Sequence, residues 1–364
     1  MAWVDSVQLT NLNAELSRLW EGENGQKKTH ASLFNLILYV NKTERTDFYQ
    51  HLIKTVVSKF PCRVMFILYD DQAPEPYLRT SVSSETVGSG ENQVFCEIIH
   101  IDVAGKLSER VPYIILPQIL PDLPVYLLWT QNPTTESTVL PYLEPFADRI
   151  IFDSESTPDL QQYCRCVLSL KKRFHCAIGD LHWSTFSGWR TLFSQVFNNP
   201  ESVLSLAQSK IIRIRYNNLK GQHLKHSYIK AAYLQAWLAS RLSWKFETIE
   251  THEGNIRLAY RRPLQEVIFL LVPQEAPSLP PGAILSVEIE SVKKEGHYSL
   301  KSELDSDQVT IQYSENDRCD LPYRYYLNRN SESQEIVEEI FCPSGGKHYR
   351  DMLEMLASTP WRRA

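Results

Sequence analysis

The chain has 364 residues, and at about 150 residues per domain this length predicts two domains or three. Hydrophobic residues make up 43% and charged residues 22%, which is ordinary globular usage and argues against a disordered or fibrous protein. The 38 Lys and Arg residues are outnumbered by 43 Asp and Glu residues, so the net charge is −5 and a general nucleic-acid binder is disfavoured.

The first predicted helix covers residues 9–20, where leucines recur on one face. Two later runs, at residues 33–40 and 63–69, are almost entirely apolar, which is typical of strands buried on both faces. Between these runs, large apolar residues recur every four positions over 48–60 and predict a second helix. Further strands are predicted at residues 77–83, 94–103, 125–129 and 149–152, and a capped helix at residues 157–173.

Residues 111–129 form a long apolar stretch that could be mistaken for a membrane span. Four prolines and Asp122 interrupt it. An interior proline costs a helix roughly 3 kcal/mol, and a central Asp adds roughly 2.5–3.5 kcal/mol. The stretch is therefore predicted to be a buried helix that ends in a proline-marked turn and a strand. Since the first residues also lack the pattern of a signal peptide, we expect a cytoplasmic protein without a membrane partner.

This alternation of buried strands and amphipathic helices predicts an α/β N-terminal domain with a mostly parallel sheet, over residues 1–175. An aromatic helical bridge follows at residues 176–208 and contains Trp183 and Trp189. The bridge has two interpretations. We favour packing of one domain onto the other, and the alternative is a contact surface for a partner, because Trp is enriched at binding hot spots.

Residues 209–364 have a different pattern. A strand at 211–216 and a broadly apolar helix at 227–242 precede seven short strands, whose links contain Gly, Asn, Asp or Pro. Two closing helices are predicted, at 333–341 and 349–357. This pattern predicts an α+β C-terminal domain with a largely antiparallel sheet.

Searches for catalytic motifs predict no catalytic, cofactor-binding or metal site. Gly88-Ser89-Gly90 lacks the third glycine of a dinucleotide fingerprint, because Gln93 stands there, and it follows a polar loop. No P-loop, nucleophile elbow or HExxH motif occurs. A loose cluster of His, Cys and Asp at residues 175–182 mixes hard and soft ligands without a recognised spacing, so chance clustering is favoured.

Seven cysteines occur without a CxxC pair or a zinc-site spacing. They are predicted to be reduced thiols that are mostly buried. Cys164 and Cys166 could form a redox pair, but side chains two positions apart on a helix point in different directions. Structural thiols are therefore favoured over a redox switch.

A basic segment lies between Glu201 and Glu247, where no acidic residue occurs and eight Lys and Arg residues do. Arg213 and Arg215 fall on one face of the predicted strand. An anionic ligand or an acidic protein partner could bind this segment. The alternative is neutralisation inside the domain by the acidic segment 303–339, and we weigh the two equally.

Several short motifs follow one another in an order and spacing found in a known family. They are PCRV at 61–64, PQILPDLPVYLLW at 117–129, DRIIFDS at 148–154, DLHW at 180–183 with Trp189-Arg190 after it, and a Leu-Trp-Leu-Ala pattern at 234–242. With these motifs the chain resembles the glucose-6-phosphate dehydrogenase assembly proteins (OpcA-type) of cyanobacteria and actinobacteria. The sequence departs from the family pattern at Leu128, where a second tryptophan is expected, and at Ser187-Gly188.

The resemblance implies a non-catalytic protein that needs no cofactor. Family members associate with glucose-6-phosphate dehydrogenase, promote its assembly and raise its activity, which supports NADPH production in the oxidative pentose phosphate pathway. It also implies thioredoxin as a further partner, with Cys62 as the candidate redox residue. The hypothesis that follows places the partner interface at Trp183, Trp189, Arg190, Arg213 and Arg215.

The rival hypothesis is an α/β enzyme or sensor that binds a sugar phosphate or nucleotide. Its site would lie at the carboxyl ends of the strands in the first domain. Asp70, Asp71 and Asp153, each predicted near a strand end, are its candidate residues.

Overall fold

The computed structural model describes residues 7–8, 11–21, 31–42, 45–87, 94–219, 226–262, 265–293, 296–305, 308–315, 318–327, 337 and 346–361. The chain divides into two compact units. The first comprises Met1–Ser156, Leu170–Leu181 and Ile336–Pro343, and the second comprises Thr157–Ser169, His182–Glu335 and Ser344–Ala364. The domain limits expected from the sequence, at residues 175 and 208, stay a prediction.

The first unit is built on a sheet of eight described strands. They are β1 (Val7–Gln8), β2 (Asn35–Asn41), β3 (Arg63–Asp70), β4 (Leu78–Val87), β5 (Val94–Ala104), β6 (Val125–Trp129), β7 (Arg149–Phe152) and β8 (Ala177–Asp180). Their order is β1-β4-β5-β3-β2-β6-β7-β8, and only the β4–β5 pair is antiparallel. The predicted mostly parallel sheet is therefore confirmed.

Helices flank this sheet because its central strands are apolar on both faces. They are α1 (Leu12–Glu21), α2 (Thr46–Lys59), α3 (Val111–Ile115) and α4 (Leu140–Leu143), and the next helix, α5 (Leu160–Arg173), begins in the second unit. The buried face of α2 carries Leu52 and Val56 into a core with Leu38 and Phe66. Each such buried side chain stabilises the fold by about 1.5–3 kcal/mol relative to an exposed one.

The apolar stretch at 111–129 forms the elements predicted for it, although its helical part is short. Pro112 lies in the first turn of α3, and Pro117 lies in a 3₁₀ turn, Leu116–Gln118, that ends the helical segment before β6. Among the residues that the structure describes, no helix is long and apolar enough to cross a membrane.

The strands from β5 to β8 have the order of a doubly wound nucleotide-binding sheet. When β4 is left out and the other strands are counted along the chain from β2, the order β5-β3-β2-β6-β7-β8 is 3-2-1-4-5-6. The direction of winding reverses between β2 and β6. In sheets of this kind, ligands bind outside the carboxyl ends of the strands at the point of reversal.

The second unit contains a sheet of nine described strands. They are β9 (Ser209–Asn217), β10 (Lys245–His252), β11 (Asn255–Arg262), β12 (Gln265–Gln274), β13 (Ile284–Lys293), β14 (Gly296–Asp305), β15 (Gln308–Glu315), β16 (Arg318–Cys319) and β17 (Tyr323–Tyr326). The order is β10-β11-β12-β9-β13-β14-β15-β16, and β17 also pairs with β15. Only the β9–β12 pair is parallel, so the predicted largely antiparallel sheet is confirmed.

Five helices in the described part of the chain follow β8 or close the second unit. They are α6 (Leu181–Thr185), α7 (Ser187–Val196), α8 (Pro200–Ala207), α9 (Ile229–Arg241) and α10 (Lys347–Ser358). Helix α9 is buried from Ile229 to Ala239, because it packs against β9 and β12 as well as against α10. The helix predicted at 333–341 lies outside the described residues except for Val337.

Candidate functional site

Two aromatic side chains occupy the carboxyl ends of the strands at the point of reversal. Tyr39 of β2 is paired with Trp129 of β6 in the parallel ladder. Their rings stack with centroids 4.5 Å apart and planes 20° apart, and each residue is only 1% exposed. A third ring, that of Tyr69 at the end of β3, lies 6.2 Å from Tyr39. Large buried rings therefore fill this part of the sheet edge.

The carboxylate of Asp153, just after β7, is fully engaged in hydrogen bonds at this edge. Its Oδ2 accepts hydrogen bonds from the Arg45 guanidinium at 2.6 Å and from the Tyr49 hydroxyl at 2.5 Å. Its Oδ1 accepts from the backbone amide of Glu155 at 3.0 Å. Asp153 is 1% exposed, so both oxygens are used inside the protein. Burial, reinforced by the Asp153 charge, raises the pKa of Tyr49 well above its ordinary value and keeps its hydroxyl a donor.

The loop between β2 and α2 lacks the chemistry of a phosphate cradle. In doubly wound nucleotide-binding proteins, glycines in the first strand–helix turn let the backbone approach the pyrophosphate. Here residues 41–46 read Asn-Lys-Thr-Glu-Arg-Thr, without a glycine. Arg45 stands at the N-cap of α2, and its guanidinium lies 5.4 Å from the ring centroids of Phe48 and Tyr49. The Gly88–Gly90 segment considered from sequence lies outside the described residues.

The other two aspartates of the rival hypothesis lie at the end of β3. Asp70 accepts from Lys42 at 3.2 Å and from the Tyr77 hydroxyl at 3.1 Å. Although burial opposes the shift, these bonds and the amide of Gln72 hold the pKa of Asp70 below its ordinary value. Asp71 is exposed and accepts from the Gln72 side chain at 3.2 Å. Asp70 is thus part of an ion pair, whereas Asp71 lies in a surface turn.

Arg213 and Arg215 share one face of β9, as predicted, and lie against two glutamates of β13. Arg213 is 2.5 Å from Glu290 and 3.7 Å from Glu288, and Arg215 is 2.6 Å from Glu288. Internal neutralisation therefore occurs, although its carboxylates belong to β13 and precede the segment 303–339 that sequence suggested. Both arginine side chains remain 30% exposed. We call these four residues the charged strip.

A hollow of about 330 Å³ lies beside the charged strip. Arg215, Glu288 and Ser286 line one side of it, and Leu279 and Leu285 line another. Arg215 also donates to the Ser286 hydroxyl at 3.2 Å. The strip therefore offers both charge and a recess at the surface of the second unit.

The aromatic bridge is buried within the second unit. Trp183 is 1% exposed and Trp189 is 5% exposed. The ring of Trp183 contacts Phe186 and Tyr349, each with centroids 5.3 Å apart. The guanidinium of Arg190 lies 3.8 Å from the centroid of the Trp183 ring, which is a cation–π contact. Trp183 thus supports Arg190, and the assignment of these residues to a partner interface stays a prediction.

Cys62 lies at the start of β3 and is fully buried. Burial, with a smaller contribution from Cys96, raises the pKa of its thiol far above the ordinary value. A thiol in this state is a poor nucleophile, because the thiolate is the reactive form. Among the described residues, no three His, Cys, Asp or Glu side chains converge as a metal site would require.

Family models match both halves of the chain. Residues 54–168 match the model described as "Glucose-6-phosphate dehydrogenase subunit N-terminal domain", and residues 176–353 match the corresponding "C-terminal domain". The chain belongs to the OpcA-type family of glucose-6-phosphate dehydrogenase assembly proteins. The resemblance inferred from the short motifs is confirmed.

Two cyanobacterial relatives of this OpcA-type chain carry the description "Putative OxPP cycle protein OpcA". The protein from Synechocystis sp. (strain ATCC 27184 / PCC 6803 / Kazusa) is 28% identical over 193 residues, which are 52% of this chain and 39% of that protein. The protein from Synechococcus elongatus (strain ATCC 33912 / PCC 7942 / FACHB-805) is 23% identical over 198 residues, 53% of this chain and 42% of that protein. The matched region thus spans about two-fifths of each relative's length.

One solved structure with a comparable fold is KijD10, a 3-ketoreductase from Actinomadura kijaniata in complex with TDP-benzene and NADP. It is 7% identical, with a TM-score of 0.51, and the alignment covers 92% of this chain and 97% of that one. At this identity the likeness concerns the fold alone. It agrees with the doubly wound order of the first sheet in the OpcA-type chain.

Proposed function

We propose that this chain is a non-catalytic partner of glucose-6-phosphate dehydrogenase that promotes assembly of the enzyme into its active oligomer and raises its activity. Both family models, one for each half of the chain, are described as domains of a subunit of that enzyme, which supports this partner. In this role the protein acts in the cytoplasm and supports NADPH production by the oxidative pentose phosphate pathway.

The observation that carries the non-catalytic part of the proposal is the filled sheet edge in the first unit. A doubly wound protein holds a nucleotide at the reversal of winding, with its phosphates on a glycine-rich turn. At that position this chain has the stacked rings of Tyr39 and Trp129 and the Arg45–Asp153 ion pair. A dinucleotide would have to displace these groups, and removing one partner of a buried ion pair costs about 3–5 kcal/mol.

The same residues give less support to the rival hypothesis of an enzyme or sensor that binds a sugar phosphate or nucleotide. Asp153 is buried and satisfied by Arg45 and Tyr49, and Asp70 is paired with Lys42. Neither carboxylate is directed to a nucleotide or sugar phosphate at the reversal of winding. A strand-end catalytic site is therefore disfavoured.

The mechanism that we propose is binding linkage. If the chain binds the active oligomer of the dehydrogenase more tightly than the inactive form, the population shifts toward the active form by the ratio of the two affinities. Every factor of ten in that ratio corresponds to about 1.4 kcal/mol. This mechanism needs no chemistry from the chain itself.

We place the interface at the charged strip and at Arg190, whose guanidinium packs over the Trp183 ring. The strip alternates positive and negative side chains that are partly exposed. Charge patterns of this kind increase the specificity and the rate of association more than they increase the affinity. A thioredoxin link through Cys62 is part of the proposal only if the sheet opens locally, because the thiol is buried between strands. The interface thus depends mainly on the second unit.

The experiment is a dehydrogenase assay of the cognate enzyme titrated with the purified chain. We compare the natural chain with a double variant, Arg213→Gln with Arg215→Gln, and use Arg350→Gln as the matched control. Arg350 is an arginine of α10 that is 50% exposed and paired with Asp351 and Glu354, outside the strip. Glutamine avoids placing new carboxylates against Glu288 and Glu290.

The natural chain and the control should raise the dehydrogenase activity, and the double variant should need at least a tenfold higher concentration for the same effect. Co-purification on a tagged dehydrogenase should follow the same order. Full activation by the folded double variant would remove the strip from the interface. No activation and no co-purification by the natural chain would overturn the proposed function.

A further inference from the structure

A cleft lined by both polar and apolar side chains lies in the first unit, away from the reversal of winding. It has a volume of about 540 Å³, which is within the range of small-molecule sites. Its floor belongs to β3, β4 and β5, and α2 contributes Gln50 to its wall. The polar residues that line it include Gln50, Arg79, Ser81, Ser83, His100 and Asp102.

The pairing of β4 with β5 brings these side chains to one face. Arg79 is opposite Asp102 in the antiparallel ladder, and Ser81 is opposite His100. Since alternate residues of a strand share a face, Ser83 joins Arg79 and Ser81, and the buried Thr80 also contributes to the lining. The polar part of the lining therefore comes from facing residues of β4 and β5, and Phe66, Leu68 and Ile101 form its apolar part.

Asp102 carries an unsatisfied acceptor. Its Oδ1 is shielded from solvent and accepts no hydrogen bond from any described residue. A buried polar atom without a partner costs about 1–3 kcal/mol, and more if it is charged. Such atoms are uncommon in native proteins, and an ordered water or a bound group would supply the missing donor.

His100 supplies a second polar group at the floor of the cleft. One of its ring nitrogens, Nε2, is 2.8 Å from the Ser83 hydroxyl. Burial lowers the pKa of His100, although the Asp102 charge opposes this, so the ring is neutral near pH 7. A neutral imidazole has one donor nitrogen and one acceptor nitrogen. The ring therefore adds mixed hydrogen-bonding capacity without adding charge.

Arg79 is the cation among the residues that line the cleft, and Lys42 lies near the same tyrosine ring. The guanidinium of Arg79 lies 5.1 Å from the centroid of the Tyr77 ring, and Lys42 lies 5.9 Å from the same centroid. Lys42 is held by Asp70, whereas Arg79 is exposed. Donors at the rim and an acceptor on the floor together suit a ligand that carries several hydroxyl groups.

We propose that this cleft binds a small polyhydroxylated ligand of the monosaccharide class, with one ligand hydroxyl donating to Asp102. Serine hydroxyls, the imidazole and the Gln50 amide can each donate to or accept from further hydroxyls. A bare anion is disfavoured because it would face the Asp102 carboxylate. An apolar ligand is disfavoured because it would leave the Asp102 oxygen without a partner.

The proposal extends to sugar phosphates through Arg79, since guanidinium groups bind phosphate well. It does not depend on the proposed partnership with the dehydrogenase. Binding to the isolated chain can fail while activation of the enzyme succeeds, and the reverse can also occur. The test below therefore uses the chain alone.

The experiment is calorimetric titration of the full chain with glucose, glucose 6-phosphate and inorganic phosphate as separate probes. The variants are Asp102→Asn, which keeps the shape of the side chain, and Ser81→Ala at an exposed position. Asp71→Asn is the matched control, because it makes the same chemical change at an exposed aspartate outside the cleft. Urea unfolding of each variant checks that it is folded.

At least one of the two sugars should bind saturably to the natural chain and to the control. Asp102→Asn should weaken that binding at least tenfold, and Ser81→Ala should weaken it to a smaller extent.

Tighter binding of glucose 6-phosphate that is lost in Arg79→Gln would support phosphate recognition, and equal binding of both sugars would support recognition of hydroxyls alone. Absence of binding by both sugars, or unchanged binding in folded Asp102→Asn, would overturn the proposal. The proposal would also be overturned if inorganic phosphate bound as tightly as glucose 6-phosphate, both to the natural chain and to Asp102→Asn.

Discussion

The phenol ring of Tyr39 lies nearly parallel to the indole ring of Trp129, with their centroids 4.5 Å apart. Trp129 ends β6, and Tyr39 lies near the end of β2, and the winding of the first sheet reverses between these two strands. In a nucleotide-binding sheet this position is the ligand crevice. Here the two stacked rings lie beside this position, which agrees with the proposal that the chain performs no nucleotide chemistry.

The first prediction is that NADP does not stabilise the chain. A ligand at 100 times its dissociation constant would raise the unfolding free energy by about 2.7 kcal/mol, which a melting curve detects readily. Because the crevice is filled and its turn lacks glycine, we expect the melting temperature to stay unchanged at millimolar NADP. A saturable rise, measured by differential scanning fluorimetry, would contradict this expectation.

The second prediction concerns Asp153. Asp153→Ala removes the acceptor of Arg45 and of the Tyr49 hydroxyl inside the protein, so we expect the unfolding free energy to fall by about 3–5 kcal/mol. Urea unfolding of both proteins measures the change. Asp71→Ala, at an exposed turn, serves as the control and should change stability by less than about 0.5 kcal/mol. An equal loss of unfolding free energy in both variants would contradict a specific stabilisation by the hydrogen bonds of Asp153.

Much of the fold could be predicted from sequence because the central strands carry a simple signal. The apolar runs that became β2 and β3, and the four-residue repeat of α2, indicate buried strands around a helix without further information. The sequence could not indicate the strand order, because pairing depends on contacts between distant segments. The parallel β9–β12 pair was missed for this reason, as hairpin-like links favour antiparallel neighbours.

The site residues were harder to predict. The ion pair between Arg45 and Asp153 joins residues 108 positions apart, and nothing near Arg45 marks it as a partner. Glu288 and Glu290 had a weak signal, since their two-residue spacing matches that of Arg213 and Arg215 on a neighbouring strand. The burial of Trp183 followed from helical spacing, whereas its contact with Arg190 required the folded structure.

The third prediction is a pH dependence of stability due to His100. Burial lowers the pKa of this residue below its ordinary 6.5, so the folded chain binds the proton more weakly than the unfolded chain does. The contribution of His100 to stability is therefore complete above pH 6.5 and decreases as the pH falls toward the folded pKa. We expect His100→Gln to lose less stability between pH 7.5 and pH 5.5 than the natural chain does, as measured by urea unfolding at each pH.

Asp71→Asn again serves as the control for the pH series, because it changes an exposed aspartate outside the cleft. It should follow the natural chain. An equal loss of stability in His100→Gln and in the natural chain would assign the pH dependence to other groups.

The fourth prediction concerns thiol reactivity. Cys62 is fully buried with a raised thiol pKa, whereas Cys319 is exposed. Iodoacetamide should therefore modify Cys319 in the native chain, and Cys62 should react only when the chain is unfolded in urea. Peptide mass spectrometry after timed quenching measures both rates. Rapid native modification of Cys62 would indicate that the start of β3 opens, and would strengthen the proposed thioredoxin link.

The most direct test of the central claim is sedimentation velocity of the cognate glucose-6-phosphate dehydrogenase at a fixed low concentration, with and without the purified chain. Binding linkage predicts that the chain moves the enzyme from its smaller species into its active oligomer, and that the activity of the same samples rises in parallel. An unchanged distribution of enzyme species and unchanged activity at saturating chain would contradict the account.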